Sequence, residues 1–243
     1  MTPRRSGRFW AISLATVMGV SAGIALGTWQ LARGSQKNAL HAAMAGRKGL
    51  PALDGRALAG VTNEAGVLWR PVRLQGRWVA GQTVFLDNRQ MQGKVGFDVL
   101  TPLQIDDSAA AVMVQRGWVQ RNFLDRTRLP EFDTPAGAVQ LRGLIVPPPP
   151  RLYAFAGTES GVIRQNLDLA EFRARSGLPV LTSLSVQQTG PASEGLLRDW
   201  TEPGSGVERN YGYAFQWFAL AVLIAILYVW FQFIVPRSKS SRA

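Results

Sequence analysis

The sequence predicts a membrane α plus β-rich ectodomain fold: two transmembrane helices flanking a mainly antiparallel β barrel or sandwich with one short helix. Three observations predict it. Neither Phe9 to Leu31 nor Tyr213 to Val235 contains a charged residue. At 1.5 Å per residue, the second run makes about 35 Å of helix, enough to cross a hydrocarbon core of about 30 Å. Between the runs, from Trp69 onward, the apolar pattern changes to period two, as in half-buried strands.

Taken in order, residues 1–8 form a basic tail with Arg4, Arg5 and Arg8, and 9–31 the first span. A cleaved signal peptide is the competing reading, but its apolar core would run about 7–15 residues. This run is longer and leads into Trp29-Gln30-Leu31-Ala32-Arg33 without a small-x-small cleavage site. Ala15, Gly19, Gly23 and Gly27 recur every four residues along one side of the helix. Small residues at that spacing let two membrane helices approach closely, although glycine is also simply frequent in such helices. Ser35 to Lys48 reads as a short helix continuing outward, broken by Gly49 and Pro51.

The body, residues 32–212, then reads as strands separated by Gly and Pro turns. In Arg70 to Val79, Val72, Leu74, Gly76 and Trp78 alternate with Arg73, Gln75 and Arg77. Thr83 to Leu86 follows at a hairpin-like spacing after Ala80-Gly81-Gln82. Further strands are expected at Phe97–Ile105, Ala111–Val119, Val139–Val146, Gly161–Gln165 and Val180–Gln187, and the internal helix at Leu167 to Arg175. Pro147–Pro150 cannot sit in a central strand and reads as an extended surface connector or, less simply, a partner-recruiting segment. The second span, 213–235, carries Tyr211, Tyr213 and Trp217 near one end and Trp230 and Phe231 at the other, as interfacial aromatic belts do. Pro236 stops it, and the tail 236–243 adds Arg237, Lys239 and Arg242.

The chain carries 27 Lys and Arg against 16 Asp and Glu, a net charge of +11. About half of that excess lies in the two tails, where it favours cytoplasmic termini and an exported body over nucleic-acid binding. No cysteine and one histidine, His41, are present. That removes disulfides, thiolate chemistry and most zinc sites, so no catalytic residue and no metal site is assigned. Asp106-Asp107 reads as a solvated turn, and Gly93-Lys94-Val95-Gly96 as a hairpin turn lacking the glycine spacing of a phosphate loop.

Three clusters stand out. Trp29, Gln30 and Arg33 put a ring, an amide and a cation at the outer end of the first span. Arg116-Gly117-Trp118 ends an apolar strand, and Arg209 to Trp217 opens the second span at the same membrane face. The two membrane clusters suit interfacial anchoring. They equally suit a docking surface for a membrane protein or a flat apolar ligand with acidic groups, where Arg pairs with carboxylates and Trp or Tyr stacks.

At these clusters the chain resembles the SURF1 family. The resemblance rests on Gly27-Thr28-Trp29-Gln30-Leu31-Ala32-Arg33 with Lys37, then Arg70-Pro71-Val72, Gly76, Leu86-Asp87-Asn88-Arg89, Gly96 and Leu100-Thr101-Pro102-Leu103. Val114 to Val119, Gly212-Tyr213-Ala214, Gln216-Trp217-Phe218 and Leu220 continue it in the family's order. It implies a non-enzymatic assembly factor for an aa3-type haem-copper cytochrome c oxidase in the bacterial inner membrane. Subunit I, other oxidase assembly factors and membrane lipid are the implied partners, and nucleic acid is not. It also implies action where haem a is inserted, with Trp29, Gln30, Arg33, Tyr211, Tyr213 and Trp217 as candidate haem-handling residues. Arg116, Gly117, Trp118, Gly19, Gly23 and Gly27 are candidate interaction residues. Some bacterial members are associated with a haem a ligand at a histidine just before the second span. The matching position here is Asn210, so any haem a contact is expected to be transient and not His-ligated. The alternative is a membrane-anchored periplasmic enzyme with a dispersed Ser, Lys and acidic site; the single His and absent Cys weigh against it.

Overall fold

A computed structural model describes residues 7–122, 124, 129–153, 161–201 and 206–235. The expected helix stop at Pro236 and the basic residues Arg4, Arg5, Arg237, Lys239 and Arg242 lie outside them. In chain order come helix α1 (Gly7–Lys48), the short helices α2 (Gly55–Ala59) and α3 (Glu64–Val67), and strands β1 (Pro71–Trp78) and β2 (Val84–Met91). Then follow β3 (Lys94–Ile105), β4 (Ala111–Gln120), β5 (Ala138–Val146), the two-residue β6 (Ile163–Arg164), α4 (Leu169–Ser176), β7 (Ser185–Gln188) and α5 (Val207–Val229). The chain divides into two units, Met1–Ala42 with Glu202–Ala243, and Ala43–Thr201.

In the helical unit, α1 and α5 are long and apolar enough to cross a membrane. In the most apolar stretch of each, only 6% of residues are buried by protein. Such surface is tolerable only in hydrocarbon, so the chain is membrane-anchored. Helix α1 runs unbroken because no Pro occurs between Pro3 and Pro51, and it ends at Gly49 as expected. Helix α5 begins six residues earlier than the apolar run, so Arg209 and Asn210 are helical, and it closes in a π-helical turn, Trp230–Ile234.

In the second unit the strands close as a five-stranded barrel in the order β1-β5-β7-β4-β3, with β1 returning to β3. The pairing is antiparallel except for β4 with β7; β6 pairs parallel to β2 at the edge. Apolar side chains of Val72, Leu74, Leu103, Val114, Ile145 and Val186 fill the interior, and Leu58 of α2 joins them. Alternation on β1 holds as read: Val72, Leu74 and Gly76 are buried, Arg73, Gln75 and Arg77 are not.

The hairpin expected between Arg70–Val79 and Thr83–Leu86 is absent. Ala80–Gln82 forms a 3-10 turn, and β1 and β2 instead share one neighbour. Gly76 to Trp78 face Ile105 to Leu103, and Val84 to Met91 face Leu100 to Lys94. They are two halves of one kinked strand. Gly76 is needed at the crossing, where a Cβ would lie 2.2 Å from the Gln104 carbonyl oxygen. The real hairpin joins β2 to β3 through Gln92 and Gly93, whose φ of 51° and 76° suit a two-residue turn matched to strand twist.

In place of the one short helix expected in the body, the described residues form three. Helix α4 lies where expected, capped by Asp168 through the Ala170 and Glu171 amides and ended by Gly177 at φ 69°. Helices α2 and α3 span too few residues to show a periodic face; their only sequence signals are the caps Asp54 and Asn63. Of the strand expected at Val180–Gln187, only Ser185–Gln188 forms; Val180 makes an isolated bridge to Ala111.

Candidate functional site

The site is built on the seam between α1 and α5. Positions on α1 at least partly covered recur at spacings of three and four: Gly23, Gly27, Gln30, Gly34 and Lys37. Those on α5 include Asn210, Ala214, Trp217 and Ala221. Such spacing keeps one seam facing a partner helix with little drift, as in left-handed coiled coils. The helices run antiparallel at close range. A Cβ on Gly23 would lie 2.9 Å from the Ala221 Cβ and 3.1 Å from the Trp217 carbonyl oxygen. On Gly27 it would lie 2.6 Å from the Phe218 ring, and on Gly34 3.1 Å from that of Tyr211. Gly19 is looser, 3.4 Å from Ile224, and Ala15 is exposed, because a four-residue repeat drifts off a 3.5-residue seam.

Beyond Gly27 the seam turns polar. The Asn210 side-chain amide donates to Gln30 Oε1 at 2.7 Å, and Lys37 Nζ donates to Asn210 Oδ1 at 2.9 Å. Asn38 Nδ2 donates to the Tyr211 hydroxyl at 2.9 Å. Asn210 therefore uses both its donor and its acceptor between the helices. Lys37 and Gly34 extend the seam past the end of the apolar run, which is why a hydropathy reading stops short of them.

Of the six proposed ligand-handling residues, the seam gathers three. Gln30 lies in the polar chain, Tyr211 lies along Gly34, and Trp217 is half-buried with its backbone carbonyl facing Gly23. Trp29 and Tyr213 are 55% and 51% exposed, and Arg33 is exposed with a long 3.5 Å contact to Gln36. Trp29 and Arg33 share one helix side, and Gln30 is turned about 100° away from Trp29. Gly34 and Asn38 are seam members that the sequence pattern does not mark. Among the described residues no group of three His, Asp or Glu is placed to hold a metal ion.

Arg116, Gly117 and Trp118 lie inside the barrel unit. Val99 pairs with Gly117 and Leu100 with Gln115, so Arg116 is the extra residue of a β-bulge, and bulges re-aim side chains. Its guanidinium is fully buried, 4.6 Å from the Trp78 ring centre and 4.9 Å from that of Phe132. It donates to Thr134 Oγ1, the Asp133 carbonyl and Glu194 Oε2 at 2.6–2.7 Å. Gly117 lets the Leu196-Leu197 segment cross, since a Cβ would meet it at 2.7 Å. Trp118 Nε1 donates to the Arg89 carbonyl. Arg89 itself is buried, donating to the Pro150 and Gln165 carbonyls, so the expected surface proline segment is tied to the barrel. Burial pushes the neighbouring Asp98 carboxyl up to about 6, against the opposing pull of Arg89 at 3.9 Å.

Comparison with known proteins agrees with these elements. The SURF1 family model matches residues 17–222, from within α1 to within α5. A SURF1-like protein of Rickettsia bellii (strain RML369-C) is 26% identical over 225 residues, covering 90% of this chain and 88% of that protein. With a family model matching well over half of its length, two apolar helices and the barrel between them, the chain belongs to the SURF1 family.

Proposed function

We propose that the protein is an assembly factor for an aa3-type haem-copper cytochrome c oxidase, working beside subunit I in the bacterial inner membrane. The observation that carries this reading is the polar chain Lys37–Asn210–Gln30 on a membrane helix seam, edged by the exposed Trp29, Arg33 and Tyr213. The chain lies at the outer end of the two apolar runs, where aromatic and cationic side chains beside polar groups suit a membrane partner or a flat acidic ligand. In the barrel unit the buried Arg116 and Arg89 are spent on its own loops. Basic tails at both termini favour cytoplasmic ends with the body exported.

The residues present do not fit a His-ligated haem. Asn210 occupies the position where the family's histidine is expected and is already hydrogen-bonded on both sides. His41, on the same continuous helix, lies ten residues or about 15 Å beyond Leu31. Any haem a contact is then peripheral and transient, through Trp29, Arg33, Tyr211, Tyr213 and Trp217. A deletion strain should lose assembled oxidase and haem a from its membranes, and wild-type levels of both would refute the assembly role. Protein co-expressed with haem a synthesis should carry substoichiometric pigment whose spectrum is unchanged by His41→Ala. One tightly bound haem per chain, lost in that variant, would overturn the peripheral reading.

A further inference from the structure

At the other end of the helical unit the seam opens. Gly27 and Gly23 are in hard contact with α5, Gly19 is looser, and beyond it lies a cleft of about 690 Å³ between the helices. Phe9, Ile12, Ile224, Leu227 and Phe231 line it, and Arg8 stands beside them. Ser13 and Tyr228 share a 2.6 Å hydrogen bond between the helices, and Thr16 and Gln232 add polar groups to a mainly apolar lining. Here α5 gives way to its π-helical turn, a departure that often accompanies ligand sites.

The charge beside this cleft has no counter-charge at this end of the helix pair, Glu208 lying in the first turn of α5 at the opposite end. No Asp or Glu occurs in residues 1–53 or 209–243, and among the described residues Arg8 has no hydrogen-bond or ion-pair partner. We propose that the cleft is a binding site for an anionic phospholipid, with one acyl chain between α1 and α5 and the headgroup phosphate on Arg8. The surroundings of a membrane-spanning pair supply the chain, and the unanswered guanidinium selects the headgroup by charge-assisted hydrogen bonding. A zwitterionic lipid would fill the same cleft but leave Arg8 facing a headgroup with no net charge.

The test uses the full chain purified in detergent and mixed with equal amounts of phosphatidylglycerol and phosphatidylcholine of identical acyl chains. Retained lipid is counted by native mass spectrometry. Retention should favour phosphatidylglycerol about fivefold, the effect of one basic side chain at an anionic headgroup. Arg8→Gln should abolish that preference, and Ile12→Trp, which fills the cleft, should lower retention of both lipids. Excess glycerol 3-phosphate should displace nothing, since it carries the phosphate without the chain. Equal retention of the two lipids by the wild type would overturn the site. So would a preference unchanged in Arg8→Gln, full retention in Ile12→Trp, or displacement by glycerol 3-phosphate.

Discussion

In the barrel, Arg116 has no exposed surface, and its charge is answered by Glu194, two further oxygens and two aromatic rings. On the helix pair, Arg8, Arg33 and Arg209 are exposed, with no carboxylate partner among the described residues. The contrast teaches where to look for function in a chain without catalytic histidines or cysteines. Cations paired inside a fold hold that fold together, whereas unpaired cations beside a lipid-exposed surface wait for something outside the chain.

The sharpest way to break this contrast is at Arg116. Arg116→Ala removes a fully buried side chain with three hydrogen bonds and leaves Glu194 only the longer contact to Arg198, so it should lower the barrel's stability by about 3 kcal/mol. Urea unfolding of the full chain in detergent, followed by tryptophan fluorescence, checks this. A loss below about 1 kcal/mol would mean that the bulged arginine is not what pins the 131–134 and 193–198 segments.

The next effect should come from Asp98. Its folded-state carboxyl titrates near 6, above the ordinary 3.8, because burial disfavours the charged form more than Arg89 supports it. The folded state therefore binds this proton more tightly than the unfolded state. The stabilising contribution is complete below the unfolded value and is lost as pH rises through about 6. Its size is on the order of 3 kcal/mol. Asp98→Asn should flatten the stability profile between these pH values, and an unchanged slope would assign it to another group.

Gly23→Leu should produce the smallest loss and the most local one. Even a single added Cβ would meet Ala221 at 2.9 Å, so the helices must part. Loss of such a membrane contact costs on the order of 1–2 kcal/mol. Oxidase content should fall while the barrel still unfolds at the wild-type urea concentration. Wild-type oxidase in a strain with Gly19, Gly23 and Gly27 all replaced by Leu would remove the seam from the account.

These experiments follow how unevenly the molecule could be read. The spans and β3, β4 and β5 were legible because uncharged runs and short-period alternation report burial directly. Helices α2 and α3 were not, because four or five residues cannot show a helical period. The β1–β2 hairpin misread Ala80-Gly81-Gln82, since a kink and a reversal use similar residues. On the helix pair, the chemistry of Gln30, Tyr211 and Trp217 marks them in the sequence, and the structure places them along the seam. Gly34 was hidden by a four-residue repeat laid on a 3.5-residue seam, and Asn38 by lying beyond the apolar run. Arg116 carried a sequence signal equal to that of Arg33; only the bulge at Val99–Leu100 separates their roles.

The central claim is that the polar seam of the helix pair, not the barrel surface, serves oxidase assembly. The direct measurement compares two strains expressing equal amounts of protein, with assembled oxidase and haem a quantified in their membranes. One carries Gln30→Ala, Lys37→Ala and Asn210→Ala; the other carries Arg73→Ala and Arg142→Ala, an exposed cross-strand pair on the barrel. The account predicts that oxidase and haem a fall toward the deletion level in the first strain and stay at wild type in the second. Full oxidase in the first strain, or loss only in the second, would contradict it.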